Sequence, residues 1–185
     1  MIVPPSREPM DPQLMSFAQA GLLLIFPALV IVGALRDLTS YIIPNWISGL
    51  LILGFVPAAL AMGLPLSEMG SHLGVGIVAL LIAMGMFALN WIGGGDAKLF
   101  AASALWLGWP GSLEFVVITG LAGGALTFAL LGLRSPVIRP YVLSGPGWIN
   151  RLAEPKGDLP YGVAIAVGAL VAFPGSPLMR AWPGF

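Results

Sequence analysis

Leu73-Gly-Val-Gly-Ile-Val-Ala-Leu-Leu-Ile-Ala-Met-Gly-Met-Phe-Ala-Leu89 contains no polar side chain. A membrane-spanning helix needs about 20 mostly apolar residues, and fewer when it is tilted or enclosed by protein. Five further runs approach this scale. Phe17–Leu35 has Gln19 as its one strongly polar member, Trp46–Leu64 follows a short polar link, and Phe115–Leu133 is interrupted only by Thr119 and Thr127. Leu99–Trp109 and Leu159–Phe173 would reach only about 16 and about 22 Å at the helical rise of about 1.5 Å per residue. These two are expected as short helices buried among longer neighbours or as partial spans. The sequence therefore predicts an all-α, polytopic transmembrane bundle of about six helices.

Composition agrees. Of 185 residues, 58% are hydrophobic and 9% charged, with mean hydropathy +0.95, whereas a soluble domain carries about 25% charged residues. Eight cations balance eight acids, so no basic patch exists to neutralise a nucleic acid. The chain has no cysteine and one histidine, His72. That removes disulfides, thiolate metal sites, cysteine nucleophiles and multi-histidine metal sites, and neither metal nor cofactor is expected. Residues 1–16, with four prolines, read as a disordered N-terminal tail, 17–173 as the membrane domain and 174–185 as a C-terminal tail. The first run follows a Pro-rich start without a basic cluster and is not expected to be a cleavable signal. Arg134–Asp158 reads as a loop.

If all six runs span, the connections after runs 1, 3 and 5 share one side of the membrane. They hold Arg36, Lys98, Arg134, Arg139, Arg151 and Lys156, six of the eight cations. The positive-inside rule makes that side cytoplasmic and places both termini outside. Trp46, Trp91, Trp106 and Trp109 are expected in interfacial belts, and His72 at an interface. Asp158 is a candidate cap for the last helix.

Asp37 ends the first run, in Arg36-Asp37-Leu38-Thr39-Ser40-Tyr41-Ile42-Ile43-Pro44-Asn45, and Asp96 follows the third, in Gly93-Gly94-Gly95-Asp96-Ala97-Lys98. Two spans separate them, so they reach the same side whichever way the chain inserts. Acids near the hydrocarbon boundary are costly and mark function by default. Two carboxylates in a partly desolvated site hold one proton between them. One can then take a proton from water while the other polarises a carbonyl, which points to amide hydrolysis. The glycine triplet removes three side chains before Asp96, permitting close approach of a substrate or a neighbouring helix. Pro44 suits the first turn of the second helix.

Together these segments resemble the type IV prepilin peptidases, membrane aspartic proteases bearing a Gly-x-Gly-Asp motif. An Asp seven residues before the Pro of Ile-Pro-Asn is matched by Asp37 and Ile43-Pro44-Asn45. Gly-x-Gly-Asp-x-Lys is matched by residues 93–98, and a looser Pro-Tyr-Gly-x-Ala-Ile by residues 160–165. The resemblance implies a bacterial inner-membrane endopeptidase with Asp37 and Asp96 as its catalytic pair, facing the cytoplasm. Gly93, Gly95, Lys98, Pro44, Asn45 and Tyr161 would be supporting residues. Its partners would be the lipid bilayer and prepilins or pseudopilins, whose short basic leader precedes a hydrophobic helix and is cut typically after Gly. Larger relatives carry a cysteine-containing insertion and also methylate the new N-terminus. The six-residue link Leu38–Ile43 and the absence of cysteine imply peptidase activity alone, without S-adenosylmethionine, as in the small members serving Flp/Tad-type pili. The competing expectations are a non-catalytic membrane subunit of a pilus or secretion machine, a proton-relaying transporter, and a presenilin-like protease. The transporter would carry its acids near the bilayer midplane. The presenilin-like protease would set its first Asp inside a helix after Tyr.

Overall fold

A computed structural model of the chain describes residues 12–143, 146–155 and 157–184. All its regular elements are helices: α1 (Pro12–Ser40), α2 (Asn45–Ala61), α3 (Leu66–Ala88), α4 (Gly94–Leu133), α5 (Arg139–Val142), α6 (Gly147–Leu152), α7 (Tyr161–Ala172) and α8 (Pro177–Arg180), with a 3₁₀ turn at Phe173–Gly175. Helices α1, α3 and α4 and the segment Tyr161–Arg180 are long and apolar enough to cross a membrane, and α2 is a shorter apolar helix.

The forty residues of α4 are two helices, not one rod. Gly108 (φ 57°, ψ −164°) and Trp109 (φ −100°, ψ 136°) leave the helical region. Beyond them the chain doubles back, since Ser112 Oγ donates to the Ala104 carbonyl at 3.2 Å and the Phe100 and Phe115 rings lie 4.8 Å apart. On a straight helix those pairs would be about 12 and about 22 Å apart. The six apolar runs thus become α1, α2, α3, the arms 94–107 and 110–133 of α4, and α7. The two shortest lie at the centre: Ala101 to Gly108 are all buried, as is most of α7.

Lipid is as apolar as leucine, so hydropathy does not drive these helices together, and close packing of small residues does. The buried face of α7 is Gly162, Ala164, Ala166, Gly168, Ala169 and Ala172 with Ile165. A Cβ at Gly168 would overlap Thr119 of the second α4 arm. Large side chains such as Leu53, Leu81, Leu121 and Phe128 point outward. The core centres on Trp106, which is fully buried, stacks on Phe26 at 5.3 Å and donates Nε1–H to the Leu51 carbonyl at 2.7 Å.

Several local expectations are corrected. Trp106 lies in the core, because its one N–H finds a backbone carbonyl; Trp46, Trp91 and Trp109 remain exposed. His72 is 2% exposed and lies within α3, which starts seven residues before the apolar run. Its Nδ1–H donates to the Leu105 carbonyl at 2.8 Å, and its ring stacks on Phe55. Residues 12–16 form the first turn of α1, whereas 1–11 of the proposed tail lie outside the described residues. After Phe173, Ser176 caps α8 and Leu178 is fully buried, so this segment packs onto the bundle.

The ring of His72 occupies the place a side chain would take at Gly108. The Gly108 backbone also lies at the border of a region populated almost only by glycine, at a cost of about 1–3 kcal/mol to other residues. Gly108→Ala is therefore expected to lower the thermal midpoint in detergent by several degrees, and His72→Gly in the same chain to restore only part of it. A midpoint equal to the parent's would show that this turn tolerates a side chain.

Candidate active site

Helix α1 ends just beyond Asp37. Tyr41 takes a left-handed conformation (φ 55°) and its N–H donates to the Asp37 carbonyl at 2.8 Å. Ile42 to Pro44 then run outside helix, and Pro44, at φ −64° and ψ 140°, is the N-cap of α2. Asp37 is consequently held in the last turns of α1 with its side chain 5% exposed. Burial pushes the Tyr41 phenol up from its ordinary range, with Arg134 pulling against that.

Asp96 comes from the start of the first α4 arm. Gly93 is the N-cap and Asp96 the third helical residue, whose Oδ2 accepts the Gly93 N–H at 3.1 Å. This is the reach-back half of a capping box. Asp96 is 8% exposed, and its Oδ1 is buried with no partner. Two of the three glycines have a steric cause. A Cβ on Gly93 would lie 2.9 Å from Asp96 Oδ2, and one on Gly95 would lie 3.0 Å from Ile43 Cβ and 3.3 Å from the Ile43 carbonyl. The close approach at Gly95 is made by the chain's own link between α1 and α2.

The third contribution is the N-terminus of α7. Its N-cap is Pro160 and no side chain caps it. The expected cap, Asp158, instead offers its carbonyl to Arg134 Nη2 at 2.8 Å. The Gly162 amide at this end points toward the acids, its N–H donating to Asp37 Oδ2 at 2.7 Å. A helix N-terminus favours negative charge, and α4 and α7 both bring one here. Ile43 is the wedge between them, since its Cδ1 would lie 2.9 Å from a Cβ at Gly162. Two carboxylates from segments 59 residues apart in sequence are thus held at the two helix starts that Ile43 bridges, Asp37 on the Gly162 amide and Asp96 on the Gly93 amide, with Asp96 Oδ1 buried and unpartnered. Such an arrangement can hold a water and exchange its proton.

Residues 24–128, more than half of the chain, match the model of the type IV leader peptidase family. The chain belongs to that family. Membership makes it a protease and implies a membrane setting and a prepilin substrate. The match includes Asp37 and Asp96 and ends before α7. No curated protein matches the chain, and no solved structure does.

Among the other residues singled out from sequence, Lys98 Nζ donates to Asn45 Oδ1 at 2.8 Å, tying the start of α4 to the start of α2. Tyr161 does not meet the acids; its ring and hydroxyl press on Gly123 in the second arm of α4. Gly162 was not among the supporting residues, although it stands in the quoted Pro-Tyr-Gly segment. Among the described residues, no group of three His, Asp or Glu is placed to hold a metal.

Proposed function

We propose that this leader peptidase is an aspartic endopeptidase in which Asp37 and Asp96 activate one water. One carboxylate, ionised, takes a proton from the water as it attacks the scissile carbonyl; the other, protonated, donates to the carbonyl oxygen. The proton gained by the first then passes to the leaving amine. The observation that carries this reading is that both buried carboxylates are held on backbone amides at the two helix starts that Ile43 bridges, Asp37 on Gly162 and Asp96 on Gly93. Gly93, Gly95 and Pro44 shape the two segments, and the Lys98–Asn45 hydrogen bond fixes their spacing.

The substrate is a prepilin or pseudopilin with a short basic leader, cut where its hydrophobic helix leaves the bilayer. The six cations in the connections that also carry the acids orient this end toward the cytoplasm, with both termini on the far side. Residues 17–173 form the peptidase unit. Co-expression with a prepilin carrying a Lys/Arg leader and a Gly before its hydrophobic segment tests the reading. Gel shift and N-terminal mass determination are expected to show a product beginning just after that Gly, with an unmethylated amine. An uncut prepilin would favour a non-catalytic subunit of an assembly machine.

A further inference from the structure

Two apolar grooves flank the first arm of α4. One, of about 730 Å³, is walled by α3 and the second arm of α4, with α7 contributing Tyr161 and Ile165. The other, of about 760 Å³, lies between α2, α3 and the first arm. They differ at the end nearest the acids. The Lys98–Asn45 hydrogen bond joins two residues that both line the second groove, and so it bridges that groove's mouth. The first groove ends at Ile92 and Tyr161. These residues immediately precede Gly93 and Gly162, whose amides hold Asp96 and Asp37.

We propose that the first groove is the track on which the apolar helix of the substrate docks, so that the chain leaving the track meets the two carboxylates. This rests on the peptidase reading above. The wall contributed by α3 runs from Ser71 to Met86, about 22 Å at the helical rise, enough for about 15 residues of a helix laid alongside. A lipid chain could fill the same apolar space, but it presents no amide to the acids at the groove's end. Gly74 and Gly120 leave open space toward which a Cβ would meet nothing within 4 Å, and both line this groove.

Those two glycines make the test possible without disturbing the core. Gly74→Leu and Gly120→Leu are each expected to reduce kcat/KM for a full-length prepilin about tenfold or more, chiefly through KM, as loss of binding common to ground and transition states requires. Cleavage of a truncated substrate ending a few residues after the scissile bond should be unchanged. Gly49→Leu, in the second groove and with equally open space, should leave both substrates unaffected. The absence of native cysteine permits a second measurement in the inactive Asp96→Asn background. A cysteine at Val78 or Val116 should cross-link to one in the prepilin's apolar segment, and one at Ile52, in the second groove, should not. Normal cleavage by both filled variants, or cross-links from Ile52 alone, would overturn the track while leaving the peptidase reading intact. Failure of the parent chain to cut any prepilin would overturn that reading instead.

Discussion

Asp37→Asn and Asp96→Asn are each expected to lower leader removal by a factor of about 10² to 10⁴, the range contributed by a positioned general acid or base, and below detection in a co-expression gel shift. The folded protein should remain abundant. Asn has nearly the shape of Asp, and its amide oxygen can still accept the Gly162 amide at position 37 or the Gly93 amide at position 96. What it loses is the capacity to take or share a proton. Asp158→Asn is the matched control, an exposed acid in the connecting loop whose backbone carbonyl, not its carboxylate, receives Arg134. It should cut at the parental rate. Full cleavage by either of the first two variants would remove that residue from the chemistry and leave it a helix-end charge. Equal loss in all three would point to damaged insertion rather than lost catalysis.

The acids were legible in the sequence because charge is so scarce in this chain that position alone carries information. Parity placed Asp37 and Asp96 at one end, and in the fold Asp37 lies near the end of α1 and Asp96 at the start of α4. The reversal near Pro110 was also legible, since the break between the fourth and fifth runs reappears as the turn inside α4. What could not be read is which face of each apolar run looks inward. With lipid outside, both faces are apolar, so Trp106 and His72 were assigned to an interface although each is buried on a backbone carbonyl. The partner in both cases is a main-chain oxygen, which leaves no trace in residue identity.

The glycines illustrate the same limit more sharply. Their presence before Asp96 signalled close approach, but not by what, and at Gly95 the answer is Ile43. Gly162 escaped for a related reason. Its contribution is an N–H, common to every residue but proline, made available because α7 begins at Pro160 without a capping side chain. The usable signal was the order of residues: a polar loop, then Pro160, then a small residue at the second position of a short apolar helix.

That contribution can be isolated by Gly162→Ala, expected to reduce kcat about a hundredfold, the cost of displacing a catalytic group by about 1 Å. The new methyl would lie 2.9 Å from Asp37 Oδ2, 3.0 Å from Asp37 Cβ and 2.9 Å from Ile43 Cδ1. Ile43 cannot retreat easily, because it is already pressed against Gly95 on its other side, so the carboxylate or the start of α7 must move. Either shift lengthens the 2.7 Å hydrogen bond. If the substrate's helix docks in the groove proposed above, KM should change little, and the split between kcat and KM separates a positioning role from general loosening. Gly168→Ala supplies the comparison on the same helix. Its methyl would overlap Thr119 and crowd the Phe115 carbonyl, so it should lower the thermal midpoint at least as much, yet the fraction that remains folded should turn over normally. If Gly162→Ala kept the parental kcat, the amide would be a packing feature and Asp37 would be positioned by α1 and Ile43 alone.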